Sequence, residues 1–129
     1  MKMEVSFPGG ARVHAHFKGH TLETDQPEKA GGDDSAPAPF DAFLASLATC
    51  TGYYALRFCE QRGIGTEGLG MTLEVFRDEE RKRVGKIRME IRLPQGFPEK
   101  YRQAIVRAVD QCAVKRHVME PPEFEIEAV

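Results

Sequence analysis

Apolar and polar residues alternate over Lys2–Phe7, with Met3, Val5 and Phe7 on one side and Lys2, Glu4 and Ser6 on the other. A period of two predicts a half-buried strand. Pro8-Gly9-Gly10 marks a turn. Ala11–Lys18 alternates again, Val13, Ala15 and Phe17 against Arg12, His14, His16 and Lys18. Gly19-His20 turns the chain into a third short strand, Thr21–Thr24, completing an antiparallel meander. Asp25–Pro37 has no periodicity and reads as a surface loop, of a length and kind that often binds or covers ligands. The pattern then changes. Between Asp41 and Arg57 there is no charged residue, and Ala42, Phe43, Leu44, Leu47, Cys50, Tyr53 and Leu56 cover every side of a helix rather than one stripe. An all-round apolar helix is a buried helix. At about 1.5 Å per residue the run spans roughly 22 Å, too short for a bilayer. Pro39 suits its first turn and Gly63 its stop just past Arg62.

Beyond the connector Gly63–Gly70, Met71, Leu73 and Val75 alternate with Thr72, Glu74 and Phe76 as a strand. Asp78–Arg83 is a charged hairpin tip. Ile87, Met89, Ile91 and Leu93 alternate with Arg88, Glu90 and Arg92 in the clearest strand of the chain. Tyr101, Ala104, Ile105, Ala108, Val109 and Cys112 then fall at helical spacing on one apolar stripe. Lys115–Met119 reads as a last helical piece, and Phe124 and Ile126 alternate with glutamates as a terminal strand. The order βββ-α-ββ-αα-β segregates strands from helices, which predicts an α+β fold with antiparallel sheets around a long buried central helix.

The 129 residues suit one domain, expected to span the whole chain. A helix needing cover on every face is more than a domain of this size readily supplies. This points to an intertwined homodimer. A net charge of −2 disfavours nucleic acid or an anionic membrane surface as the main partner. The N-terminal residues lack the apolar run of a signal peptide, so the expected location is the cytoplasm. In that reducing setting three cysteines are structural, metal-binding or redox-active, not a disulfide framework.

Cys50 and Cys112 each lie on an apolar helical face. Cys59, nine residues after Cys50, falls on the opposite side of the first helix and near its end. A buried free cysteine commonly serves as a small hydrophobe. A redox role instead needs a thiolate stabilised by a nearby cation or a helix N-terminus, with limited access for substrate. Arg12 is a candidate cation, though a strand arginine is more often a solvated face residue. Asp41, in the first turn of the helix, either complements the helix dipole or orients that arginine. There is no Cys-x-x-Cys and no ligand pair at zinc-finger spacing. His14 and His16 share a strand face, with His20 and His117 elsewhere, so no metal and no cofactor are expected.

The segment Pro37–Thr51, PAPFDAFLASLATCT, resembles the P-x-E-x-x-L-A-A-L-x-x-C core helix of the OsmC/Ohr family of osmotically inducible and organic hydroperoxide resistance proteins. Cys112-Ala113-Val114 resembles its second cysteine signature. Asp41 replaces the usual Glu, Ala113 replaces a common Pro, and the Asp41-to-Cys50 offset is that of the general OsmC-like branch. The resemblance implies an intertwined homodimer with thiol peroxidase chemistry. In it Cys50 attacks a peroxide to become a sulfenic acid, Cys112 resolves it as a disulfide, and an external dithiol reduces that disulfide. Organic hydroperoxides are the implied substrates, with Arg12 and Asp41 activating Cys50. The alternative is a non-catalytic OsmC-like dimer that binds a small apolar ligand or senses oxidation.

Overall fold

A computed structural model describes residues 1–129 in full. The chain forms two compact units, Met1–Ala45 and Ser46–Val129. The first holds the meander β1 (Glu4–Gly9), β2 (Arg12–Phe17) and β3 (His20–Thr24), antiparallel in the order β1-β2-β3. Val5 pairs with Ala15, and Ala15 with Leu22, so one row of small and apolar side chains runs across the sheet. The loop after β3 is more ordered than its composition suggests. It contains a 3₁₀ turn, Glu28–Ala30, and is organised around one buried carboxylate. Asp25 is 1% exposed and accepts from the backbone N–H of Gln26 (2.8 Å), Asp33 (3.2 Å) and Ser35 (3.0 Å) and from the Ser35 hydroxyl (2.6 Å). The Ser35 hydroxyl, followed by these amides, lowers the Asp25 pKa to about 2. Gly32 closes the loop so tightly that a Cβ there would lie 1.9 Å from the Gln26 carbonyl oxygen.

The long helix α1 (Pro39–Gln61) starts at the proline and runs on into the second unit. Gly63, at φ 63°, lets the chain reverse: the Ile64 N–H donates to the Cys59 carbonyl (2.9 Å) and the Gly63 N–H to the Glu60 carbonyl (3.2 Å). This pair of bonds is a Schellman cap. Strands β4 (Gly70–Asp78) and β5 (Arg83–Arg92) form an antiparallel hairpin, with Met71 opposite Ile91 and Leu73 opposite Met89. A 3₁₀ turn at Glu99–Tyr101 leads into α2 (Arg102–Val109), and α3 (Ala113–Met119) follows after a sharp turn. The core of this unit is Ala55, Phe58, Cys59, Ile105 and Val109, flanked by Ile91, Leu93 and Phe97. The α+β class, the segregation of strands from helices and the antiparallel pairing are as the sequence predicts. No helix is long and apolar enough to cross a membrane.

Three features differ from expectation. Helix α1 is not buried all round: its buried residues Leu47, Thr51, Ala55, Phe58 and Cys59 make one stripe, while Tyr53 is 58% exposed and Phe40 52%. Apolar composition states a demand for cover, and within one chain that demand is met on one side only. Residues 120–129 form no strand, and Phe124 and Ile126 are 79% and 93% exposed. Alternation supplies a two-faced strand but not the sheet edge it must pair with. The apolar stripe ending at Cys112 is also split. Helix α2 stops at Val109, and Cys112 opens the next turn with φ −47° and ψ 124°.

Candidate functional site

The two cysteines of the sequence motif meet in the second unit. Cys50 lies on α1 and is half-buried, whereas Cys112 is sealed at 0% exposure between α2 and α3. All three cysteines are free thiols. Cys112 occupies the position before α3, where the first helical N–H groups have no carbonyl partner. Its own backbone ties the two helices together: its N–H donates to the Val109 carbonyl (3.1 Å) and its carbonyl accepts from the Arg116 N–H (3.0 Å).

The sulfur of Cys112 is an acceptor. Burial alone would raise its pKa, but the N–H of Lys115, the Cys50 thiol, the Thr51 hydroxyl and the N–H of Val114 all point to it, and together they hold it below the ordinary value of 9.0. These are the groups that favour a thiolate. Thr51 is 2% exposed, and its hydroxyl makes no hydrogen bond of good geometry, even to the Cys112 sulfur it faces. Sequence reasoning passed over Thr51. The signal was there in one respect: it is a polar residue inside an uncharged run, one position after Cys50. Cys59, read as a helix-end residue, is instead a fully buried member of the core, and burial raises its pKa although Arg62 pulls the other way.

A cavity of about 260 Å³ adjoins the Cys112 turn through Thr51, Val109 and Lys115, with neither cysteine in its wall. Thr51 and Val109, both neighbours of Cys112, form part of its wall; Ile91 and Ile105 make it apolar, and Asp110 and Lys115 line it as an ion pair. A small apolar molecule with one polar end matches such a space.

The other two predicted residues belong to the first unit. Arg12, on β2, donates from Nη1 to Asp33 Oδ2 at 3.3 Å, tying the Asp25 loop to the strand. Asp41 is exposed in the first turn of α1, where its charge complements the helix dipole. Of the histidines, His16 is held between the Ser6 hydroxyl (2.8 Å) and the Thr21 hydroxyl (3.0 Å), and His117 lies on α3 against the Ala113 carbonyl (2.6 Å).

Comparison with known proteins agrees with this architecture. A protein of Psychrobacter arcticus described as osmotic stress induced and detoxification response shares 21% identity at a TM-score of 0.76, over 90% of this chain and 86% of its own. An OsmC like protein of Mycoplasma pneumoniae shares 14% at 0.69, over 94% and 89%. An organic hydroperoxide resistance protein OsmC of Legionella pneumophila shares 19% at 0.58, over 92% and 89%. At these identities the likeness is one of fold. No curated protein matches the sequence. Residues 32–127, which contain α1 with Cys50 and the turn with Cys112, match the family described as OsmC-like protein, and the chain belongs to that family.

Proposed function

We propose that this protein is a thiol-dependent peroxidase that reduces organic hydroperoxides with Cys50 and Cys112. The observation that carries this reading is the Cys50 thiol donating to a Cys112 sulfur that backbone amides already favour as a thiolate. Exposure divides the roles. Cys50 is the one a substrate reaches, and sealed Cys112 reacts only with what forms on Cys50.

Cys50 passes its proton to Cys112 and attacks the terminal peroxide oxygen. An S–O bond forms, the O–O bond breaks, and the alkoxide leaves, taking a proton from Cys112 to become the alcohol. Cys112, again a thiolate, attacks the Cys50 sulfenic sulfur and expels hydroxide as the disulfide closes. An external dithiol returns both thiols. The apolar cavity by Thr51 supports a preference for organic over hydrogen peroxide, because an alkyl tail gains roughly 25 cal/mol per Å² of surface buried. Arg12 is the cation that stabilises the attacking thiolate and Asp41 its orienting carboxylate, as the family resemblance implies. The working form is a homodimer in the cytoplasm, which would also cover exposed apolar residues such as Phe7, Phe124 and Ile126. The whole chain acts as one domain. The same cavity also suits the second reading, an OsmC-like dimer that only holds a small apolar ligand.

The test is consumption of cumene hydroperoxide with a dithiol reductant. Turnover should vanish in Cys50→Ser and decay after the first cycles in Cys112→Ser. A wild-type protein that consumes neither organic nor hydrogen peroxide with several dithiols overturns the peroxidase reading.

A further inference from the structure

A second concavity, of about 660 Å³, lies in the second unit between the C-terminal half of α1 and α2, and the peroxidase chemistry makes no use of it. Its lining is unusual for a protein of net charge −2: Arg57, Arg62 and Arg107 all face it, and no carboxylate does. Gathering like charges in one cleft is unfavourable unless something negative answers them. Arg57 is answered by Glu60, at 2.8 Å. Arg62 is held rather than neutralised: its guanidinium lies 3.7 Å over the Phe58 ring and 5.5 Å from that of Tyr101, and Nη1 reaches the Phe58 carbonyl at 3.4 Å. Stacking on an aromatic face fixes the guanidinium plane and leaves N–H edges for an incoming group. Arg107 makes no ion pair. Tyr53 and Tyr54 complete the wall, edge to face at 5.9 Å, with Tyr53 58% exposed.

We infer that this cleft binds a small organic anion, with a phosphate or carboxylate group on the Arg62 and Arg107 guanidinia and a flat ring against Tyr53. Guanidinium forks match both kinds of anionic group, and a tyrosine face offers a ring a stacking surface at little entropic cost. The overall negative charge favours a small ligand over a nucleic acid chain.

The chain reports on this site directly. It has three tyrosines and no tryptophan; Tyr53 and Tyr54 line the cleft and Tyr101 lies by Arg62. The full chain is titrated calorimetrically at low ionic strength with phenyl phosphate, pyrophosphate and benzoate, and tyrosine emission is followed with the non-absorbing pyrophosphate. Phenyl phosphate should bind saturably and weaken with salt. Arg107→Gln, an exposed change, should weaken it about tenfold, while Tyr53→Ser should bring it down towards pyrophosphate. Comparing phenyl phosphate with benzoate, which share the ring, identifies the preferred anionic group. No saturable binding of any of the three probes overturns the site, including the case in which a second copy of the chain seals it. So does binding that survives both substitutions unchanged.

Discussion

Cys59 lies on the inner stripe of α1, and Cys112 lies at the turn from α2 into α3; both are 0% exposed. Burial pushes the Cys59 thiol up, whereas the Cys112 thiol is held down in spite of its burial. The difference is in the backbone each belongs to. Beyond the first turn of a helix the N–H groups are spent on carbonyls four residues back, so a thiol there, as in the last turn of α1, finds hydrocarbon. The residue before a helix faces N–H groups that nothing has claimed. Solvent exclusion therefore does not by itself make a thiol inert or reactive; the free donors around it decide.

Serine substitution breaks the comparison most sharply. Cys112→Ser should keep the fold, since its hydroxyl inherits the Val114 and Lys115 donors, but reduce steady hydroperoxide turnover to background. Cys59→Ser should leave turnover intact and cost about 1–3 kcal/mol of stability, because a hydroxyl is buried without a partner. Denaturant melts alongside peroxide consumption check both. Equal losses of activity from the two would mean that the donors around a buried thiol do not decide its part in the chemistry.

Asp25 is the limiting case, a buried acid whose donors win outright. Its pKa falls from 3.8 to about 2. Its contribution is therefore fully present above pH 3.8 and is lost as pH falls through about 2. In Asp25→Asn that acid-limb loss between about pH 4 and pH 2 should disappear, read as a flatter stability-against-pH curve. Gly32→Ala, which drives a Cβ into the Gln26 carbonyl, should loosen the same loop at every pH, visible as faster amide exchange over 25–35.

The alkaline limb sharpens the contrast further. A thiol held low stabilises the fold above its unfolded pKa of 9.0, and the gain is lost as pH falls through the folded value. A thiol pushed up stabilises below 9.0, and the gain is lost as pH rises through its folded value. Relative to wild type, Cys112→Ala should lose stability as pH rises towards 10, and Cys59→Ala should lose less there than at pH 7. The smallest effect is expected from Thr51→Val. Removing a hydroxyl that faces only sulfur should change stability by less than about 0.5 kcal/mol and slow turnover a few-fold. An unchanged rate would remove Thr51 from the site.

Much of this was written in the residue order. The period-two runs set β1, β2, β4 and β5, because one buried face demands alternation whatever the partner strand is, and the Gly19-His20 turn set β3. Pro39 and Gly63 set the ends of α1, and the PFDAFLASLATC segment with its later cysteine carried the family. Tertiary structure decided the rest. It turned an all-round apolar helix into a helix with one buried stripe, left Phe124 and Ile126 without an edge to join, and anchored a Gly- and Asp-rich loop on Asp25. It also separated Cys112 from Cys59. Local sequence specifies which groups want burial or a partner, but which donor faces which sulfur depends on where one helix stops and the next begins, and that is settled only by packing.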